Sequence, residues 1–266
     1  MAPTSAGAAD APVRLTLRLI RAAQGAPEAA AGLVAVIRAN ASVYLPLALT
    51  LAHYGAGPLD TALAEAIRDT DFTHEEWSDL EGRIPQNTGI LPHTALAAAD
   101  QRRQRADNDV DIALALGRLG IRLGGVGRHR DALEAAEEAL ELWRQLAAAD
   151  PEAHTVNLAR TVAGLGTRLG EVGRHRDALE AMEEALGLWR QLAAADPDPY
   201  TAGLAIVLLN YGLCLSEMGR HRDALAPAEE AVTLFARLHA DLPRAYADVL
   251  AASRRLRDKL STEQRM

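Results

Sequence analysis

The chain has 266 residues, 49% apolar but only 4% aromatic, so its core must be built largely from Ala, Leu and Val. Ala and Leu favour helices, and the β-branched or aromatic runs that strands prefer are nearly absent, which argues against a sheet-based fold. A net charge of −8 argues against general affinity for DNA or RNA, which rests on neutralising phosphates with Lys and Arg.

Residues 1–12 are predicted to be disordered, and Met1 to Pro12 has neither the apolar core nor the basic flank of a signal peptide. Residues 13–106 read as a helical N-terminal region. Its segments are predicted at about 13–24, 27–39, 43–54, 59–69, 73–83 and 92–105, separated by Pro, Gly and Asn signals. Val43 to Ala52 is the most apolar of these stretches; it falls short of the roughly 20 residues that span a bilayer, and Pro46 interrupts it. A buried helix is expected there, and no membrane partner. Thr73 and Glu76 make a capping box, with Thr73 as N-cap. The string LAAAD at 96–100 recurs at 146–150 and 192–196, which suggests a degenerate hairpin leading into the second half of the chain.

Self-similarity dominates residues 107–242. The string GRHRDAL occurs at Gly127–Leu133, Gly173–Leu179 and Gly219–Leu225, each copy 46 residues after the last. Between 127–150 and 173–196, 22 of 24 residues are identical, the differences being Ala136/Met182 and Glu141/Gly187; the third copy matches the first at 14 of 24. A fixed period of this length marks a stacked array in which one unit cannot bury its own apolar face. Each unit reads as two helices. The second, from about Arg128 to Ala149, sets Leu133, Ala136, Leu140, Trp143 and Ala147 on one stripe at spacings of three and four. Acids gather at its start, Asp131 and Glu134 among them, as the helix dipole prefers. Asp150-Pro151 stops this helix and caps the next, which is expected to run to about Glu171 before Gly173 turns the chain. Pro227 is expected to kink the third copy's second helix or to delay its start. Beyond Pro243, residues 243–266 carry 6 bases against 3 acids and read as a polar cap that keeps the stack soluble.

Leu119-Gly120 with Leu123, Leu165-Gly166 with Leu169, and Tyr211-Gly212 with Leu215 follow an L-G-x-x-L pattern. Ala132, Ala178 and Ala224, then Ala139, Ala185 and Ala231, follow at fixed offsets. This pattern resembles the tetratricopeptide repeat, with Leu116, Val162 and Leu208 in place of its usual Trp and a longer period than usual. It is similar to the lengthened repeats of kinesin light chains and of actinobacterial signalling proteins. An Arg-rich, Lys-poor composition fits a high-GC genome of that kind. The resemblance implies an all-α fold, a right-handed superhelix of antiparallel helical hairpins, in which the first helix of each hairpin lines a groove. On that basis the groove residues are Arg118 and Ile121 in the first copy, Arg160, Thr167 and Glu171 in the second, and Asn210, Leu213 and Glu217 in the third. Leu91 to Ala106 loosely resembles the linker before such arrays in actinobacterial signal-transduction ATPases, but the phosphate-binding loop G-x-x-x-x-G-K-[ST] does not occur in this sequence.

Four sets of residues invite a chemical reading. His129, His175 and His221 stand one hairpin apart, so they form a ladder rather than a metal cage, and a packing role at the turn is expected of them. His74, Glu75, Glu76 and Asp79 are explained by the helix dipole without acid–base work. Cys214, the only cysteine, is expected as a buried small hydrophobe in a reducing cytoplasm. Trp143, Trp189 and Phe235 recur at the 46-residue step and are expected in the core between hairpins.

The sequence thus predicts a cytoplasmic interaction protein with no catalytic residues, no metal and no cofactor. Its partner is a protein or peptide, with apolar anchors and an acid to meet Arg118 and Arg160. A second copy of the chain is the alternative occupant of the same face. Two further readings stand beside this one: an accessory component of a bacterial signalling or conflict system acting with an ATPase or protease, and an enzyme that uses the N-terminal helices.

Overall fold

The computed structural model describes residues 15–16, 18–19, 21, 27–40, 44, 48, 58–73, 77 and 91–263. The expectations for 1–12 and for most of 13–24, 43–54 and 73–83, including the partner of Thr73 in its capping box, lie outside these residues. Among them there are ten helices of four residues or more, and no strand. The chain divides into two units: residues 1–107 with 118–128, and residues 108–117 with 129–266.

In the first unit, α1 (Pro27–Ala39) and α3 (Pro92–Gln104) both pack on α2 (Pro58–Asp69). Leu33 and Ile37 of α1, Leu63 and Ile67 of α2, and Leu91 before α3 share one closed apolar core. A carboxylate is buried at its edge. The Asp60 side chain, only 3% exposed, accepts hydrogen bonds from the backbone N–H of His93 at 2.9 Å and of Thr94 at 2.7 Å. Its Oδ2 also lies 2.8 Å from Nδ1 of His93. Pro92 opens α3 and Leu91 offers no side-chain cap, so an acid 33 and 34 residues away satisfies the first turn's free donors. At the other end Arg105 donates to the carbonyl of Phe72 at 3.0 Å and lies 5.6 Å from the centre of the Trp77 ring.

Six helices carry most of the second unit: α5 (His129–Ala149), α6 (Pro151–Glu171), α7 (His175–Ala195), α8 (Pro197–Glu217), α9 (His221–Asp241) and α10 (Pro243–Glu263). They are preceded by α4 (Asp109–Gly125), whose residues fall partly in each unit. Each of the six has 21 residues, so each is about 30 Å long. Every helix from α5 to α10 packs against the next. Ala132, Ala178 and Ala224 are buried at equivalent points, as are Ala139, Ala185 and Ala231, so small residues let the backbones approach.

The turns explain the repeated glycine. Gly127, Gly173 and Gly219 have φ of +79°, +80° and +73°, where a Cβ is disfavoured. The N–H of the residue after each glycine bonds back to a helix carbonyl: Arg128 to Leu123, Arg174 to Leu169 and Arg220 to Leu215, all at 2.9 Å. The glycine N–H bonds in turn to Gly124, Gly170 and Ser216 at 2.9–3.0 Å. This double bond pattern closes the helix end and needs a left-handed residue at its centre. Gly173→Ala should therefore lower stability by about 1 kcal/mol, read as a fall in the urea midpoint with an unchanged slope; an unaltered midpoint would show that the turn tolerates a side chain.

The start of α6 matches the Asp-Pro expectation, since the Asp150 side chain accepts from the N–H of Ala153 at 3.0 Å. Asp196 makes no such bond at the start of α8. Pro227 does not delay α9, which begins at His221, the same point in the repeat as α5 and α7, and runs through the proline. Lying seven residues into the helix, Pro227 removes one backbone donor without shifting the register. α10 buries Leu250, Ser253, Leu256 and Leu260 and packs on α9.

Trp143, Trp189 and Phe235 are buried, and each meets an aromatic ring from the following helix. Trp143 stands 5.7 Å from His154, Trp189 6.4 Å from Tyr200, and Phe235 6.3 Å from Tyr246, all with tilted rings. The partners lie 46 residues apart like the rings they touch. On the surface, Arg144 bonds Glu184 and Arg190 bonds Glu230, each at 3.1 Å, at the same register of successive copies.

By length and composition α8 alone among the described helices could cross a membrane, with a mean hydropathy of 1.3 over its most apolar window. It packs between α7 and α9 and buries Ala205, Val207, Leu208, Gly212 and Leu215 against them and their neighbours.

Candidate functional site

A cavity of about 310 Å³ opens where α6, α7 and α8 meet. α6 contributes Gly166, Thr167, Gly170 and Glu171, and α7 contributes His175 and Met182. α8 supplies Asn210, Leu213, Cys214 and Glu217. Five residues predicted for the groove, Thr167, Glu171, Asn210, Leu213 and Glu217, therefore line one space. Arg160 is exposed on α6 but does not border the cavity, and Arg118 and Ile121 fall in the part of α4 that groups with the first unit.

The positions follow from helical spacing. On α8, Ile206, Asn210, Leu213 and Glu217 succeed one another by four, three and four, so they share one face. Ile206 is 48% and Leu213 41% exposed, so the face they share on α8 is open and partly apolar. The floor is Met182, which is fully buried. A Cβ on Gly166 would approach its Cε to 2.9 Å, so glycine there is what lets the long thioether lie across the hairpin. Met182 is also the one core position at which the two near-identical copies differ.

Cys214 departs from expectation. It is part-buried rather than enclosed, and it borders the cavity. Burial, and then the nearby charge of Glu217, push its thiol pKa up, which leaves it a poorer nucleophile than a free cysteine.

The three repeat histidines do not behave alike. His129 Nδ1 bonds Glu171 at 3.1 Å. His221 Nδ1 lies 3.0 Å from Glu263 but without the alignment of a hydrogen bond. His175, between them, makes no such contact and faces the cavity. Among the described residues no group of three or more His, Cys, Asp and Glu side chains is placed to hold a metal ion. The repeat would have revealed the His–Glu pairs to sequence reading, because the glutamates also recur every 46 residues. His74, Glu75, Glu76 and Asp79 lie outside the described residues.

Residues 112–151 match the tetratricopeptide repeat family. No curated protein matches the chain in sequence. Among solved structures, BtubC (BKLC) from P. vanneervenii is similar over 93% of this chain and 90% of its own, at 17% identity and a TM-score of 0.45. Aspartyl phosphate phosphatase F from Bacillus subtilis is similar over 99% and 77%, at 13% identity and a TM-score of 0.44. The TPR2AB domain of yeast Sti1, solved with a pHSP90 complex, is similar over 97% and 100%, at 14% identity and a TM-score of 0.29.

Proposed function

We propose that this chain, a tetratricopeptide-repeat protein, serves as an interaction scaffold that binds a peptide or helix of another protein along α6 and α8 of its second unit. The observation that carries this reading is the open cavity between α6, α7 and α8 beside two exposed apolar side chains, Ile206 and Leu213. Packed helices normally hide residues of that kind, and a patch that leaves them accessible next to polar groups is the form a binding surface takes. In the N-terminal unit the buried Asp60 carboxylate is occupied in capping α3.

The test compares wild-type chain with Ile206→Glu as bait in a lysate of the native cell. Partners that use the α8 face should be recovered from wild type and depleted about tenfold or more by the variant, the loss expected when an apolar anchor is replaced by a charge. Partners retained equally by both baits would show that another surface does the binding. Ile206 is exposed, so circular dichroism of the variant should show an unchanged melt.

A further inference from the structure

Three glutamates occupy the same place at the end of every second helix: Glu171 on α6, Glu217 on α8 and Glu263 on α10, 46 residues apart. Two of them stand beside a cation of their own helix. Glu171 accepts from Arg168 at 2.7 Å and from His129 at 3.1 Å. Glu263 stands 3.0 Å from His221 and 3.9 Å from Lys259. Glu217 has no cation within ion-pair distance among the described residues. The residue three before it, where α6 has Arg168, is Cys214, and the residue four before it, where α10 has Lys259, is Leu213. Its histidine, His175, makes no bond to it. Both Glu217 and His175 line the cavity, so the helix end that lacks a cation is also the one with room for another group.

We propose that this cavity is a specificity pocket for one basic side chain, arginine or lysine, of the bound partner, with the Glu217 carboxylate as its counter-ion. The proposal rests on the reading of α6 and α8 as the binding face. Glu217 takes the guest's charged head where Arg168 serves Glu171 in the preceding copy. The Asn210 side-chain carbonyl and the Thr167 hydroxyl offer further acceptors on the same walls. The guest's methylene stem lies against Leu213, over the apolar floor made by Met182. The guest's sign is opposite to the acid expected from the sequence, and Arg160, one of the bases that called for that acid, does not border the cavity.

A random-peptide display selected against the full chain tests this, with Glu217→Gln and Cys214→Arg as comparison targets. Cys214→Arg recreates the Arg168–Glu171 spacing and supplies the cation from inside. Wild type should enrich peptides with an Arg or Lys at one fixed position beside apolar residues. Re-measured on both variants, their affinity should fall about tenfold or more, the loss expected when a charged hydrogen bond is removed. The same peptides with that base changed to norleucine should bind all three proteins alike. Peptides enriched without a fixed base, or a base preference that survives in Glu217→Gln, overturn the pocket while leaving the binding face in place. Failure of wild type to enrich any peptide overturns both. Glu217 and Cys214 border an open cavity, and matching melts of the three proteins would separate lost recognition from lost fold.

Discussion

Trp189→Ala is expected to cost the second unit about 3–5 kcal/mol, the range for removing a buried aromatic side chain. The ring is 7% exposed and lies where α7 meets α8, with Tyr200 at 6.4 Å and Leu186, Val207, Leu208 and Phe235 in the same apolar cluster. The site has few ways to collapse, because its neighbours are held by their own helices. The effect should also be uneven along the chain. In a stack each hairpin is stabilised mainly by contact with the next, so weakening one junction uncouples what lies on either side. Urea unfolding followed by circular dichroism should therefore show a lower midpoint and a broader transition. Hydrogen exchange should speed up on both sides of the α7–α8 junction more than in α5. A loss under about 1 kcal/mol would show that the junction is not held by this ring.

Much of the fold could be read in the sequence because the array repeats its signals. The helix expected from about Arg128 to Ala149 is His129–Ala149, and the one expected to end near Glu171 does so. Each boundary rests on chemistry visible locally: a proline that opens a helix, or a glycine whose positive φ closes one. What stayed hidden depends on distance or on comparing copies. The capping of α3 by Asp60 joins residues 33 and 34 apart and leaves no local pattern. His154, Tyr200 and Tyr246 face the buried rings at a constant step, but the change from His to Tyr masks the equivalence. The cavity depends on Met182 and Gly166 meeting across a hairpin, and on Cys214 standing where the previous copy has Arg168, which no single copy reveals. Of the groove residues expected on α6 and α8, Thr167, Glu171, Asn210, Leu213 and Glu217 line the cavity and Arg160 does not.

Gly203→Ala should destabilise the chain by up to about 2 kcal/mol, although alanine is the better helix former. An ideal Cβ at Gly203 would sit 2.2–2.5 Å from three carbons of the Trp189 ring, far inside contact distance, so the ring has to move. Overpacking of this kind costs about 1–3 kcal/mol, and the gain in helix propensity from Gly to Ala offsets about 1 kcal/mol of it. The flanking copies bound the cost: Asn157 and Val249 stand at the same register opposite Trp143 and Phe235, so a ring in this place can coexist with a Cβ once it adopts another pose. The sign should depend on the tryptophan. With Trp189 already replaced by alanine the clash partner is gone, only the propensity term remains, and Gly203→Ala should stabilise by about 1 kcal/mol. A double-mutant cycle in urea reads this directly as two opposite shifts of the midpoint for one substitution. If Gly203→Ala stabilises both backgrounds equally, the ring does not press on α8 at this glycine, and the close approach of α7 and α8 must be held by the alanines alone.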